Sequence, residues 1–216
     1  MRVMDTIQIA GVGVLAVAVV TGVWWLLGGG LVRRRKLNRL GRSLGLRPEK
    51  DTSALDESGL LKVPPLGPEP GRCSELLHGE VRGAEVFVFD FKGGSGAGDP
   101  VALFKLGGGK TLPVFELRPR LRSSDAVGMA FESNPRFNDI YALTGEDEAA
   151  VRGLFAGEVL TYFERSENQD WAIGSSGKWL AVTVWPHGQR RRQLEPKQVM
   201  GFVEDAKQAL FLLADK

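Results

Sequence analysis

Residues 7–32, IQIAGVGVLAVAVVTGVWWLLGGGLV, form a run without a single charged side chain. A helix needs about 20 apolar residues to cross a hydrocarbon core about 30 Å thick, and this run is longer. The apolar stretch of a cleavable signal peptide is only about 7–15 residues long, so the length favours an uncut anchor. The sequence therefore predicts a transmembrane helix over residues 7–32, preceded by a tail over residues 1–6.

The charges that flank this run predict its orientation. Residues 33–50 carry eight basic side chains against Glu49, a net charge of +7, whereas the N-terminal side offers only Arg2 and the α-amino group against Asp5. Positively charged flanks stay in the cytoplasm, so we expect the N-terminus outside and the rest of the chain in the cytoplasm. The eight basic residues are Arg33, Arg34, Arg35, Lys36, Arg39, Arg42, Arg47 and Lys50.

The segment 33–46, called the neck below, is predicted to be a basic juxtamembrane helix. Leu37, Leu40 and Leu44 recur at helical spacing among arginines, which is typical of an amphipathic helix at a bilayer surface. Such a helix either recognises anionic lipid or serves only as an orientation signal. The candidate membrane-surface contacts are Trp24, Trp25, Arg33, Arg34, Arg35, Lys36, Arg39 and Arg42.

Two further interactions are open to the anchor and to the domain. Ala18 and Gly22 form a small-xxx-small pair that would allow a weak homodimer through the transmembrane helix, although small residues are common in such helices. A second basic patch, Arg190, Arg191, Arg192 and Lys197, either meets a partner or lipid headgroups or is a solvated loop. Residues 51–216 carry a net charge of −5, which argues against nucleic acid as a partner.

Residues 47–75 are predicted to be a Pro/Gly-rich linker or an irregular wrapping segment, with Leu60, Leu61 and Val63 as its candidates for docking. Residues 76–216 are predicted to be one soluble α+β domain with an antiparallel sheet and two amphipathic helices. We expect a four-stranded meander through HGEVRG, EVFVFDF, VALFKL and LPVFELRP, and a later hairpin from WAIGS and KWLAVTVW. We expect one helix over about 145–165 and a last one beginning at Pro196.

No constellation of catalytic, cofactor-binding or metal-binding residues stands out, so we expect no cofactor. GGGKT at 107–111 lacks the first glycine of a phosphate-binding loop and precedes a strand, which indicates a turn. His78 and His187 have no metal-ligand partners at suitable spacing, and Cys73 with His78 gives no reason for a catalytic geometry. Asp90 and Glu116 are the only acids on sheet faces that suggest themselves for an enzyme.

Longer blocks of the sequence resemble a known group of proteins. They are FESNPRFNDIYALTGEDEAAVRGLFAGEVLTYFE, the hairpin WAIGSSGKWLAVTVW, the strand EVFVFDF, the segment FELRP and an Arg-rich neck ending in LGL. With the span, they are similar to an uncharacterised family of bacterial single-pass membrane-anchored proteins, a domain of unknown function. The resemblance implies a bacterial source, a location and a fold, but it implies no reaction and no catalytic residue.

These observations lead to three hypotheses about function. The first is a non-enzymatic interaction module at the cytoplasmic face of a bacterial inner membrane, with an unknown protein partner. The second is a domain that binds or senses anionic lipid through the neck and the second basic patch. The third is a membrane-associated enzyme, which would require a pocket lined by several convergent carboxylates.

Overall fold

The computed structural model describes residues 34–39, 41–50, 55, 63–66, 71–81, 83–93, 98–120, 128–165, 171–184 and 195–214. The predicted tail, the predicted span over residues 7–32 and the Ala18/Gly22 pair lie outside these ranges. Within them, no helix has both the length and the apolar character that crossing a membrane requires.

The described strands form one eight-stranded sheet in which all neighbours are antiparallel, in the order β1-β2-β3-β4-β8-β7-β5-β6. The strands are β1 (Arg47–Pro48), β2 (Gly71–Val81), β3 (Ala84–Gly93), β4 (Asp99–Lys105), β5 (Leu112–Pro119), β6 (Tyr141–Gly145), β7 (Trp171–Gly177) and β8 (Trp179–Val184). Together with the helices this is an α+β fold, as the sequence predicted.

The predicted four-stranded meander is wrong in its last strand. Strands β2, β3 and β4 are consecutive neighbours, but β4 then pairs with β8, and β5 pairs with β7 and β6. The hairpin of β7 and β8 occupies the edge that β5 would have taken, and the amide of Leu106 donates to the carbonyl of Lys178 at 2.8 Å. The GGGKT turn therefore connects β4 to β5 around the tip of this hairpin.

The described helices are α1 (Pro135–Ile140), α2 (Glu148–Leu154), α3 (Glu158–Phe163) and α4 (Pro196–Ala214). The single helix predicted over 145–165 is divided between α2 and α3, because Gly157 has a positive φ of 58° that interrupts the helix. The Asp147 side chain caps α2 by accepting a hydrogen bond from the amide of Ala150. The last helix begins at Pro196 as predicted.

Two hydrophobic cores lie on opposite faces of the sheet. Alternation along β3 sends Val86 and Val88 to a larger core, which the helices cover. The same alternation sends Phe89 and Phe91 to a smaller core on the other face. The apolar stripe predicted for α4 packs in the larger core, and it comprises Val199, Phe202, Val203, Ala206, Leu210 and Leu213.

The segments before the sheet contribute to both cores. Neck residues 34–39 and 41–43 are helical, and Leu37 and Leu46 are buried in the larger core. Leu55 and residues 63–66, together called the strap below, supply Leu55, Val63 and Leu66 to the smaller core. Val63 therefore docks as the sequence suggested, while Leu60 and Leu61 lie outside the described residues.

The strap approaches the sheet closely at Gly174 of β7. A Cβ at this position would clash with the carbonyl group of Pro64. The predicted linker over 47–75 thus contains β1, part of the smaller core and the first residues of β2, which begins at Gly71, before the predicted strand HGEVRG begins at His78.

Candidate interaction surfaces

The neck presents one charged face and one buried face. Its exposed cations, called the basic neck face below, are Arg34, Arg35, Lys36, Arg39 and Arg42. Leu37, only 4% exposed, and Leu46, 0% exposed, point the other way into the larger core. None of the five cations forms an ion pair with another described residue.

Close contacts between backbone and side chains fix the neck against β2. A Cβ at Gly41 would lie 2.9 Å from Cδ1 of Leu77, and a Cβ at Gly79 would lie 2.8 Å from the carbonyl oxygen of Gly45. The short strand β1 then pairs with β2, with Arg47 opposite His78. Gly41 of the neck and Gly79 of β2 therefore serve close packing, and the neck is part of the domain.

The other predicted contact residues are placed only in part. Lys197 is exposed in the first turn of α4. The remaining predicted contacts, Trp24, Trp25, Arg33, Arg190, Arg191 and Arg192, lie outside the described residues.

A second surface lies on the smaller-core face, beyond the rows of side chains that the strap covers. The rings of His78 and Phe87 stack with centroids 4.5 Å apart and an interplanar angle of 9°. Phe87 also contacts Trp179 at 6.2 Å between centroids, and Nζ of Lys105 lies 5.6 Å from the centre of the Trp179 ring. The aromatic patch, as it is called below, consists of His78, Glu85, Phe87, Lys105 and Trp179. Each of the five residues is partly exposed to solvent.

Glu85 connects the charged members of the aromatic patch. One carboxylate oxygen is 3.0 Å from Nε2 of His78, and the other accepts from Nζ of Lys105 at 2.9 Å. The hydrogen bond from Lys105 is the largest influence that lowers the pKa of Glu85, and it outweighs the opposing effect of burial. Glu85 is therefore ionised at neutral pH.

The cross-strand register places a second carboxylate beside Glu85. Glu80 of β2 stands directly opposite Glu85 of β3, an arrangement in which like charges repel. Glu80 is exposed and forms no ion pair with any residue that the structure describes. Because Lys105 pairs with Glu85, Glu80 is the member of this facing pair whose charge no described cation balances.

An open groove of about 740 Å³ runs beside the aromatic patch. It is bounded by the neck end at Gly45 and by the β2–β3 turn at Gly83. Its charged lining consists of three glutamates and one arginine, with a histidine between them. These residues are Arg47, Glu49, His78, Glu80 and Glu85. The groove therefore favours a positively charged occupant.

A second groove, of about 460 Å³, lies between the loop after β4, helix α2 and the end of α4. Its lining is mainly apolar and includes Leu106, Leu112, Leu154 and Leu213. Nζ of Lys110 donates to the carbonyl oxygen of Ala214 at 2.8 Å and so ties the GGGKT turn to the end of α4. The observed role of this lysine is structural.

The two acids that an enzyme hypothesis would use are not brought together. Asp90 is buried in β3, and Glu116 lies in β5, where Arg118 donates to both of its oxygens. Strands β4, β8 and β7 separate β3 from β5, a distance of roughly 19 Å at about 4.8 Å per strand. Among the described residues, no group of three or more His, Cys, Asp or Glu is suited to a metal ion.

Sequence reasoning missed most of the aromatic patch. His78 was considered only as a metal ligand or as a partner for Cys73, although the structure pairs it with Glu85. The available signal was the closeness of HGEVRG and EVFVFDF in the sequence, because a tight turn at Gly83 places Glu80 opposite Glu85. The contact with Trp179 depends on β8 joining β4, which short-range patterns do not reveal.

Comparison with known proteins supports the fold but not a family. No protein-family model matches the chain, and no curated protein matches its sequence. Among solved structures, the crystal structure of the mycobacterial trehalose monomycolate transport factor A, TtfA, is similar to this chain with a TM-score of 0.55. The similarity covers 83% of this chain and 95% of that one at 16% sequence identity. At that identity the likeness shows a shared fold.

Proposed function

We propose that this chain is a bacterial single-pass inner-membrane protein whose domain is a non-enzymatic interaction module at the cytoplasmic face. The predicted span over residues 7–32 supplies the anchor, and the positive charge that follows it supports the orientation. The resemblance to membrane-anchored bacterial proteins remains a prediction. TtfA is named a transport factor, and from that likeness we take the fold alone.

The observation that carries the interaction role is the incomplete cover of the smaller-core face. The strap buries Phe89 and Phe91, but Phe87 and Trp179 stay partly exposed next to the charged groove. Aromatic side chains at a rim of charged groups are typical of protein-binding surfaces. The excess of glutamates in the groove favours a partner segment that carries positive charge.

Site-specific photocrosslinking in intact bacteria tests this role. A photoreactive phenylalanine derivative replaces Trp179 in the full chain, and a control chain carries it at the exposed residue Glu132. The proposal expects a discrete crosslinked protein from position 179 and none from position 132. Equal crosslinking from both positions, or none from position 179, would contradict an interaction surface at the aromatic patch.

Recognition of anionic lipid is the second candidate function. The basic neck face favours it, since five exposed cations follow closely after the predicted span. This candidate is compatible with the first, because the aromatic patch and the basic neck face are separate sets of residues. An enzyme remains the third hypothesis. Asp90 and Glu116 do not converge, whereas Glu49, Glu80 and Glu85 line one open groove.

A further inference from the structure

We propose that the basic neck face binds anionic phospholipid headgroups by charge alone, without inserting into the bilayer, and so holds the domain in one orientation against the membrane. This inference rests on the proposed membrane anchoring. It replaces the prediction that the neck lies in the membrane surface as an amphipathic helix. The apolar face of the neck instead packs on the larger core, and its basic face meets the lipid headgroups.

The first argument is that the described leucines of the neck pack against the domain. An interfacial helix binds by burying its apolar face about 5–10 Å deep at the boundary of headgroups and acyl chains. Leu37 and Leu46 are instead buried in the larger core of the domain, and Leu44 packs partly against it. Leu40 lies outside the described residues. Inserting Leu37, Leu44 and Leu46 into lipid would require their removal from the core, so among the described neck side chains the exposed cations are the ones placed to meet the membrane.

The second argument is the unbalanced charge of the opposite face. Arg34, Arg35, Lys36, Arg39 and Arg42 are exposed and form no ion pair with described residues. The first acid after the predicted span is Glu49, beyond the helical residues of the neck. Clusters of basic residues next to a membrane anchor are attracted to anionic lipid, each contributing modestly and within about one Debye length.

The third argument is the length of chain between the anchor and the core. Leu37 is the fifth residue after the end of the predicted span at residue 32. Five residues span at most about 18 Å when extended and about 8 Å when helical. A membrane surface is therefore within reach of the basic neck face. This continuity favours lipid over a dissolved polyanion.

Acylation of single lysines in the full-length protein tests the inference. The protein is placed in nanodiscs of phosphatidylcholine alone or of phosphatidylcholine with phosphatidylglycerol, and acetylation of Lys36 and Lys178 is followed by mass spectrometry. Both lysines are exposed, but Lys178 lies at the β7–β8 turn, three strands away from β2. A negative surface stabilises the protonated amine, which does not react.

The inference expects Lys36 to react at least about threefold more slowly in the anionic nanodiscs, while Lys178 changes little. Salt at about 1 M should abolish the difference, since charge alone holds the contact. The double substitution of Arg39→Gln and Arg42→Gln should reduce the difference. The matched substitution of the exposed Arg136→Gln and Arg165→Gln should leave it intact.

Three results of the lipid comparison would overturn the inference. They are equal rates for Lys36 in both lipids, equal slowing of Lys36 and Lys178, and a slowing that persists at high salt. Protection of Lys36 by a double-stranded DNA oligonucleotide in neutral nanodiscs, without any by anionic lipid, would assign the face to another polyanion and would also overturn it. Nanodiscs expose both faces of the bilayer, so a reversed topology in cells would contradict the proposed location without altering this assay.

Discussion

The two faces of the sheet are covered in different ways. We assign stability of the fold to the fully covered face and interaction with a partner to the partly exposed rim of the other face. The larger-core face carries the neck and the helices, and its aromatic cluster of Phe115, Phe137, Phe155 and Phe163 is sealed from solvent. The smaller-core face carries the strap, and Phe87 and Trp179 at its rim are only partly buried. Substitutions on the first face should therefore affect folding, and those at the rim of the second should affect binding.

The largest effect should follow from truncating the same residue type on the two faces. Phe155→Ala should lower the free energy of unfolding by about 3–5 kcal/mol, since Phe155 is fully buried among other rings. Phe87→Ala at the half-exposed rim should cost about 1 kcal/mol while weakening crosslinking at position 179. Urea unfolding of the full chain in detergent measures both costs. An equal loss of unfolding free energy in the two variants would contradict the difference between the two faces.

The neck provides the next test. Leu37→Ala should cost about 2–4 kcal/mol of unfolding free energy, because the side chain belongs to the larger core. Leu44→Ala, on the same segment but only partly buried, should cost about 1 kcal/mol or less. If the neck were a helix lying on the membrane and independent of the domain, neither substitution would change the unfolding midpoint.

A substitution that displaces the strap should have a smaller effect on stability, and a glycine in α2 provides a control of opposite sign. Gly174→Ala should destabilise the domain by about 1–3 kcal/mol, because the new methyl group would clash with the Pro64 carbonyl and displace the strap. Gly153→Ala in α2 meets nothing within 4 Å and should stabilise by up to about 1 kcal/mol. Thermal unfolding of both variants checks the signs, and a neutral Gly174→Ala would show that the strap does not cover β7.

The smallest effect concerns pH at the aromatic patch. The folded-state pKa of Glu85 lies below its usual value of 4.5, mainly because Lys105 donates a hydrogen bond to it. Ionised Glu85 therefore stabilises the fold above pH 4.5, and this contribution is lost as the pH falls through the lowered pKa. Glu85→Gln should make the unfolding midpoint less sensitive to acid between these values. Glu132→Gln, an exposed control, should not.

Local patterns predicted the parts of this fold that depend on near neighbours in the chain. The alternation along β3 and the stripe on α4 were readable because each element meets a core with its own period. The break at Gly157 was missed because the apolar positions Val151, Phe155, Val159 and Phe163 all face the same core on both sides of it. The periodicity of apolar residues indicates which positions are buried, and it continues across the break in the helix at Gly157.

The features that define the candidate surfaces are long-range. The insertion of β7 and β8 between β4 and β5 creates the contact of Phe87 with Trp179, and no spacing in the sequence encodes it. Of the predicted leucine stripe of the neck, Leu37 and Leu44 pack on the larger core, and Leu40 lies outside the described residues. Local spacing does not determine whether such a stripe meets lipid or a protein core. In this structure the close approach of Gly41 to Leu77 shows that the neck packs against the core.

The location of the domain is most directly tested by the side of the membrane on which the C-terminal residue Lys216 lies. Alkaline phosphatase and a fluorescent protein are each fused after Lys216 in bacterial cells, and both activities are compared at equal expression. A domain at the cytoplasmic face predicts fluorescence without phosphatase activity. Phosphatase activity without fluorescence would place the domain outside and contradict the proposed cytoplasmic interaction module.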